Sequence, residues 1–107
     1  MKARLEEMIT IACATPGMTE PENKEVEGRR VTRHFAITRS INELFGEYTL
    51  THRPTGRSVY STSQFSRLLK YAKLLEKIGD WSFTDPASVK NIEPSMRLEA
   101  MRKAALL

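Results

Sequence analysis

The alternation of apolar and polar residues from Val31 to Ser61 predicts three β-strands in succession. The first strand carries its apolar residues on one parity and mainly small polar residues on the other. The turn sequence Arg53-Pro54-Thr55-Gly56 separates the second and third strands, which predicts a β-hairpin. In that hairpin we expect Leu50 and Val59 to be cross-strand neighbours.

An apolar repeat of 3.6 residues follows the strands and predicts a long helix from about Thr62 to Ile78. Ser61 and Gln64 have the spacing of a capping box at its start, and Gly79 is typical of a left-handed residue that ends a helix. The apolar face is wide enough to cover one side of a three-stranded sheet, so we expect the core there. Its positions are Phe65, Leu68, Leu69, Ala72, Leu75 and Ile78.

The two ends of the chain show weaker patterns. Apolar residues at helical spacing, Leu5, Met8, Ile9 and Ala12, predict an N-terminal helix within residues 1–14. Residues 15–30 are rich in proline, glycine and glutamate, which predicts a flexible acidic linker. Asp85-Pro86 predicts a short helical turn, and Glu93-Pro94-Ser95 predicts the start of a final helix that runs to Leu107.

Together these elements predict an α+β fold with an N-terminal helix, a three-stranded antiparallel β-sheet packed on one long helix, and a C-terminal helix. The 107 residues are the size of one domain. Within it we expect the helix (1–14), the linker (15–30), a βββα core (31–79) and a helical tail (80–107). We expect Trp81, the single tryptophan, to close the core.

Cysteine use and hydropathy bear on where the protein works. Cys13 is the single cysteine, so no internal disulfide can form, and a reducing compartment is expected. The apolar run from Met8 to Ala14 is short for a signal sequence, and no segment approaches the ~18 apolar residues of a membrane span. The sequence therefore predicts a cytoplasmic protein with no membrane partner.

The positive charge is concentrated in the part of the chain that is expected to fold. Residues 1–30 carry five basic and six acidic side chains, whereas residues 31–107 carry twelve basic and seven acidic ones. Such an excess favours polyanions or acidic protein surfaces as partners, although it also serves solubility alone.

The first candidate nucleic-acid surface is the sheet face that the long helix leaves uncovered. Its hydroxyl and imidazole groups can hydrogen-bond phosphates or base edges, and basic residues beside such a face contact the DNA backbone. A solvated sheet face has a similar composition, so the pattern also fits a surface without a ligand. The polar residues are Thr32, His34, Thr38, Thr49, Thr51, Ser58 and Tyr60, and the flanking arginines are Arg33, Arg39, Arg53 and Arg57.

The second candidate surface is the outer face of the long helix, where Arg67, Lys70, Lys73 and Lys77 lie within about 120° of arc. Lysine is also the ordinary residue of an exposed helical face, and Glu76 lowers the positive potential. Because the stripe and the polar sheet face lie on opposite sides of the layers, we do not expect one flat ligand to contact both.

No set of residues indicates catalysis, a metal or a cofactor. His34, His52 and Cys13 come from separate elements without the spacing of a metal site, and no glycine run could hold a phosphate. We therefore expect no enzymatic activity and no small-molecule substrate.

The sequence predicts a small non-catalytic binding protein that engages nucleic acid or a nucleoprotein, as a bacterial or phage regulator would. The alternative is a protein-interaction module, such as a phage-encoded inhibitor of a host defence complex or a homodimer through the tail helix. Its candidate interface comprises Tyr60, Leu98, Met101 and Leu106.

Overall fold

Five β-strands pair in their order along the chain to form one antiparallel sheet in the computed structural model, which describes residues 5–13, 22–41 and 46–106. The strands are β1 (Glu7–Cys13), β2 (Glu22–Arg30), β3 (Phe35–Arg39), β4 (Tyr48–His52) and β5 (Arg57–Thr62). Two α-helices follow, α1 (Phe65–Ile78) and α2 (Pro94–Lys103), with a short 3-10 helix (Pro86–Asn91) between them.

The predicted fold with an N-terminal helix and a three-stranded sheet is wrong, because the chain begins with the β-hairpin β1–β2. Ile9, Thr10 and Ile11 are β-branched residues, which favour a strand, and Ile9 and Ile11 alternate with the 59% exposed Met8. The apolar residues of this segment thus fit the two-residue period of a strand as well as the spacing of a helix. Residues 1–4 of the predicted helix lie outside the described part of the chain.

The predicted linker is also wrong where the structure describes it, because β2 occupies residues 22–30. Val26 is the one large apolar residue of β2, and it lies opposite Ile9 in the hairpin. Gly28 packs closely against β1 and β3, since a Cβ there would lie 2.7 Å from Cγ1 of Ile9 and 3.0 Å from Cγ2 of Thr38. Residues 15–21 lie outside the described part of the chain.

The main core lies between α1 and the face of β3 and β4 that carries Phe35, Ile37, Tyr48 and Leu50. Strands β3 to β5 and helix α1 lie close to where the two periodicities predict them. The core role predicted for Trp81 is confirmed, because that side chain is buried in the same cluster. Helices α1 and α2 contribute Leu68, Tyr71, Ala72, Leu75 and Ala100, and Ala104, which follows α2, also belongs to this core.

Two details of the β4–β5 and α1 boundaries differ from the prediction. A bulge at Leu50 and Thr51 places Tyr60 opposite Leu50, so Val59 is not its partner and Tyr60 lies on the helix side of the sheet. The capping box is absent, because α1 begins at Phe65 and its N-cap residue Gln64 makes no side-chain cap.

Gly79 ends α1 with an extended backbone, φ 178°, so the predicted left-handed conformation is wrong. A Cβ at Gly79 would collide with Cδ1 of Ile92, so a larger residue there would require the end of that side chain to move. The 3-10 helix begins as predicted with Asp85, which accepts a hydrogen bond from the Ala87 N–H at 3.1 Å. Helix α2 begins at Pro94 as the start signal predicts but ends at Lys103, and Leu107 lies outside the described residues.

The β1–β2 hairpin covers the sheet face opposite α1. The sheet curls until the backbone N–H of Ala12 donates to the carbonyl oxygen of Gly56, in the turn before β5, at 2.8 Å. Ile9, Ile11 and Ala36 form a second apolar cluster beneath the hairpin. The prediction of an open polar face is therefore wrong, because Thr38 and Thr51 are each only 1% exposed.

Candidate functional site

Helix α1 carries a stripe of basic side chains on its outer face, here called the α1 stripe. It lies opposite the buried residues Leu68, Ala72 and Leu75 and is about 15 Å long at about 1.5 Å per residue. The four members of the stripe are all exposed: Arg67, Lys70, Lys73 and Lys77.

None of the helices in the described part of the chain has the length and apolar character needed to cross a membrane.

Glu76, the one acidic residue of α1, is held away from the α1 stripe by the turn between β2 and β3. Its Oε1 accepts hydrogen bonds from the Thr32 hydroxyl at 3.0 Å and from the His34 backbone N–H at 2.8 Å. Its Oε2 accepts from Nδ1 of His34 at 3.0 Å. Burial raises the pKa of Glu76, but the hydrogen bonds from His34 and Thr32 outweigh it, and the pKa lies below its usual value.

The α1 stripe therefore keeps its positive charge. Arg67 donates from Nη1 to the backbone oxygen of Ala105 at 3.1 Å, which fixes the side chain without neutralising it. Among the described residues, no carboxylate forms an ion pair with any of the four members of the stripe.

Two of the four predicted flanking arginines lie at the C-terminal end of the α1 stripe. The backbone N–H of Arg53 donates to the carbonyl oxygen of His34 at 2.8 Å, and its Nη1 donates to that of Arg33 at 3.4 Å. Because His34 binds Glu76, both exposed arginines lie near the last turn of α1. Each of these arginines also lies within electrostatic range of an acidic group: Arg33 interacts with Asp80, and Arg53 interacts with Glu7.

The other two flanking arginines lie elsewhere. Arg39 forms ion pairs with Glu27 at 3.5 Å and Glu47 at 3.2 Å, and the hydrogen bond that it donates to Glu47 is the main reason that the pKa of Arg39 is raised. Arg57 is exposed and lies at a different surface, a groove beside α2. The structure thus brings Arg33 and Arg53 to the α1 stripe but neither Arg39 nor Arg57.

The groove beside α2, here called the α2 groove, has a volume of about 620 Å³. It runs between the β4–β5 hairpin, α1 and α2. Its aromatic wall is built on His52, whose ring stacks on Phe83 with centroids 4.6 Å apart and lies 5.7 Å from the centroid of Trp81. Its aliphatic residues are Val59, Val89, Leu98 and Met101.

Hydrogen bonds fix the wall of the α2 groove. The Nε2–H of His52 donates to the carbonyl oxygen of Trp81 at 2.6 Å, and the indole N–H of Trp81 donates to the Leu75 oxygen at 2.7 Å. The hydroxyl of Thr55 then donates to Nδ1 of His52 at 2.8 Å. Burial lowers the pKa of His52, so the ring is neutral in this arrangement.

Arg97 of α2 lies in the wall of the same groove. Its Nε is buried and has no hydrogen-bond partner among the described residues. The positive charge of Arg97 interacts with Tyr71. Burial raises the pKa of Tyr71, and the charge of Arg97 lowers it to a smaller extent. Arg97 is not among the site residues predicted from the sequence. The signal for it was a cation on a buried helical face, because Arg97 shares that face with Ala100, Met101 and Ala104.

The predicted partner residues do not form one exposed patch. The hydroxyl of Tyr60 donates to the backbone oxygen of Leu106 at 3.1 Å, so these two lie together and are partly buried. Met101 is partly buried against the core. Leu98 is 55% exposed and lies at the α2 groove.

The polar sheet face encloses a smaller cavity of about 230 Å³ beneath the β1–β2 hairpin. Its hydroxyl groups bind one another: Thr49 Oγ1 lies 2.7 Å from both Ser40 Oγ and Ser61 Oγ. Thr38 Oγ1 lies 3.1 Å from Thr51 Oγ1. These hydroxyls are therefore hydrogen-bonded to one another within the protein.

Neither a metal centre nor a relative adds to this geometry. In residues 5–13, 22–41 and 46–106, no three His, Cys, Asp or Glu side chains lie close enough to hold a metal ion. No family model matches the chain, and no curated protein or solved structure matches it either.

Proposed function

We propose that this protein is a non-catalytic nucleic-acid-binding protein that holds the phosphate backbone against the α1 stripe. Arg33 and Arg53 extend the contact beyond the last turn of α1. We place it in the cytoplasm, as a regulator of bacterial or phage origin. The observation that carries the proposal is the position of Glu76, which is bound by Thr32 and His34 and leaves the stripe without an acidic partner among the described residues.

The physical basis is the attraction between a linear row of cations and a polyanion. Duplex DNA carries one negative charge per ~1.7 Å of its axis, so a stripe of about 15 Å faces several phosphates. The side chains of Thr38, Thr49 and Thr51 are buried and unavailable to base edges. Binding is therefore expected to depend on phosphates and backbone shape, with little preference for sequence.

Salt dependence tests the proposal. The affinity of the intact protein for mixed-sequence duplex DNA and RNA is measured over a series of salt concentrations. The double variant Lys70→Gln/Lys73→Gln is expected to weaken binding and to reduce the slope of log affinity against log salt by about 2, because each phosphate contact contributes about 0.9. Lys90→Gln/Lys103→Gln is the matched control, since it removes the same charge from exposed positions outside the stripe.

Two results would overturn the proposal. One is the absence of detectable binding to either nucleic acid at low salt. The other is an equal loss of affinity in the stripe variant and in the control, because net charge alone would then account for the binding.

The alternative, a protein-interaction module, is favoured by two exposed apolar side chains of α2, Met96 and Leu98. Its test is capture of a partner from a nuclease-treated lysate. Capture that survives nuclease treatment and is lost in Leu98→Glu supports the alternative. Capture that nuclease abolishes supports nucleic-acid binding instead.

A further inference from the structure

We propose that the α2 groove binds a small apolar carboxylic acid. Its carboxylate pairs with Arg97, and its hydrocarbon or aromatic body lies against Trp81, Phe83 and the aliphatic residues of the groove. This site is separate from the α1 stripe and does not depend on the proposed nucleic-acid binding.

The size and the walls of the groove fit such a ligand. Pockets for small molecules have volumes of roughly 300–1,000 Å³ and are lined mainly by apolar and aromatic side chains with a few polar groups. The α2 groove has about 620 Å³ and carries Trp81 and Phe83 on its aromatic wall. The hydrogen bonds of His52 hold that wall in place before any ligand arrives, which lowers the entropic cost of binding.

The charge of the groove determines the polar end of the ligand. Arg57 and Arg97 line the groove, and none of its described lining residues is acidic. The buried Nε of Arg97 has no partner among the described residues, and a buried donor without a hydrogen bond is costly. Nε itself is inaccessible from the groove, so a carboxylate there would accept from the terminal N–H groups of the Arg97 guanidinium in bidentate geometry.

The charged residues that line the groove also favour a monoanionic ligand over a phosphate ester. Arg97 is the charged group within the wall, whereas Arg57 is exposed at the edge. A phosphate dianion beside apolar walls would keep a second charge with few donors to bind it, and burial of an unpaired charge is strongly unfavourable. A ligand with a single carboxylate has no second negative charge to be buried without a partner.

The test uses Trp81 as the reporter, because it is the one tryptophan of the chain and lies in the groove wall. The intact protein is titrated with octanoate and with 1-naphthoate, which represent aliphatic and aromatic acids. Octanol and octylamine serve as uncharged and cationic controls. We expect at least one of the acids to change the Trp81 emission with saturation, and octanol and octylamine to bind about 10- to 100-fold more weakly than that acid.

Variants locate the carboxylate. Arg97→Met is expected to lower the affinity for the acid by about 10- to 100-fold, and Arg97→Lys to recover part of it. Lys103→Met removes a positive charge from the same helix at an exposed position and is expected to bind as tightly as the unchanged protein.

A measurement on the unchanged protein keeps the test valid if Arg97→Met fails to fold. In a ¹H–¹⁵N spectrum the Nε–H signal of Arg97 is expected to shift as the acid binds. Equal affinity for octanol and octanoate, or an Arg97 signal that no acid moves, would overturn the proposal. A dimer that buries the groove, seen by sedimentation and insensitive to either acid, would overturn it as well.

Discussion

The carboxylate of Glu76 lies 3.0 Å from Nδ1 of His34 and also accepts the backbone N–H of that residue at 2.8 Å. A single side chain thus attaches the last turn of α1 to the turn between β2 and β3. The same contact removes the one acid of α1 from its basic face. Stability and the charge of the proposed binding surface therefore depend on the same carboxylate.

Glu76→Gln is expected to destabilise the protein by about 1–3 kcal/mol, because a partly buried, charge-assisted set of hydrogen bonds is weakened. Urea unfolding at neutral pH measures the change. Glu99→Gln is the control, because its ion pair with Arg102 is exposed on α2 and its loss should leave the free energy of unfolding nearly unchanged. Equal effects of the two substitutions would contradict this account of Glu76.

Glu76 also predicts how stability responds to acid. Its pKa in the folded protein lies below the usual 4.5, so the unfolded chain binds a proton first as the pH falls. The stabilisation is complete above pH 4.5 and is lost as the pH falls through the lower folded value. In Glu76→Gln this part of the acid sensitivity should be absent in urea unfolding between neutral and acidic pH.

His52 is expected to destabilise the fold in mildly acidic solution. Burial lowers its pKa below the usual 6.5, so the unfolded state takes up the proton more readily than the folded state. The free energy of unfolding should therefore fall as the pH drops below about 6.5, until the folded pKa is reached. NMR titration of the His52 ring signals measures the folded pKa directly, and an ordinary value for this ring would contradict the prediction.

Gly28→Ala tests the close packing of the N-terminal hairpin. The new Cβ would lie 2.7 Å from Cγ1 of Ile9, so we expect a loss of about 1–3 kcal/mol from overpacking. Amide hydrogen exchange should show faster exchange in β1 and little change in α1. Ser63→Ala, at an exposed position, is the control. Unprotected β1 amides in the unchanged protein would contradict the five-stranded sheet itself.

Substitution of two arginines tests where the proposed nucleic-acid surface lies. Arg53→Gln is expected to reduce the salt slope of DNA binding by about 0.9, because Arg53 is exposed near the α1 stripe. Arg39→Gln should leave the slope nearly unchanged, since Arg39 is already paired with Glu27 and Glu47. A larger effect of Arg39→Gln than of Arg53→Gln would place the nucleic acid on a different face.

Neighbouring positions of α2 should respond differently to a glutamate. Leu98→Glu is expected to change stability by no more than about 0.5 kcal/mol, because Leu98 is 55% exposed. Ala100→Glu should cost about 3 kcal/mol or more, because Ala100 lies in the main core and the charge would be buried without a partner. Thermal unfolding followed by circular dichroism distinguishes the two outcomes.

The middle of the chain could be predicted because its local patterns agree with its burial. In β3 and β4, Phe35, Ile37 and Leu50 alternate with threonine and alanine, and one face is buried under α1. In α1 the apolar residues Leu68, Ala72 and Leu75 share one helical face. In these segments the residue pattern and the tertiary contacts favour the same structure.

The N-terminal hairpin could not be predicted because its stability comes from pairing between segments. The apolar residues of the N-terminal segment also have a helical spacing: Leu5, Met8, Ile9 and Ala12. Strand β2 is mainly polar, and its one large apolar residue is Val26, which lies opposite Ile9. The choice between helix and strand depends on the partner strand, which the local sequence does not contain. The α2 groove was missed for the same reason, because Arg97 meets Trp81 and Phe83 only in the folded chain.

The hydrogen bond from Ala12 to Gly56 has a consequence for the order of folding. It joins strand β1 to the turn before β5, and the two segments lie far apart in the chain. Long-range closures of this kind form late because their entropy cost comes before their gain. We expect the segment from β3 to α1 to assemble first and the N-terminal hairpin to dock onto it afterwards. Pulse-labelled refolding would then protect the amides of α1 earlier than those of β1, and simultaneous protection would rule out this sequence of events.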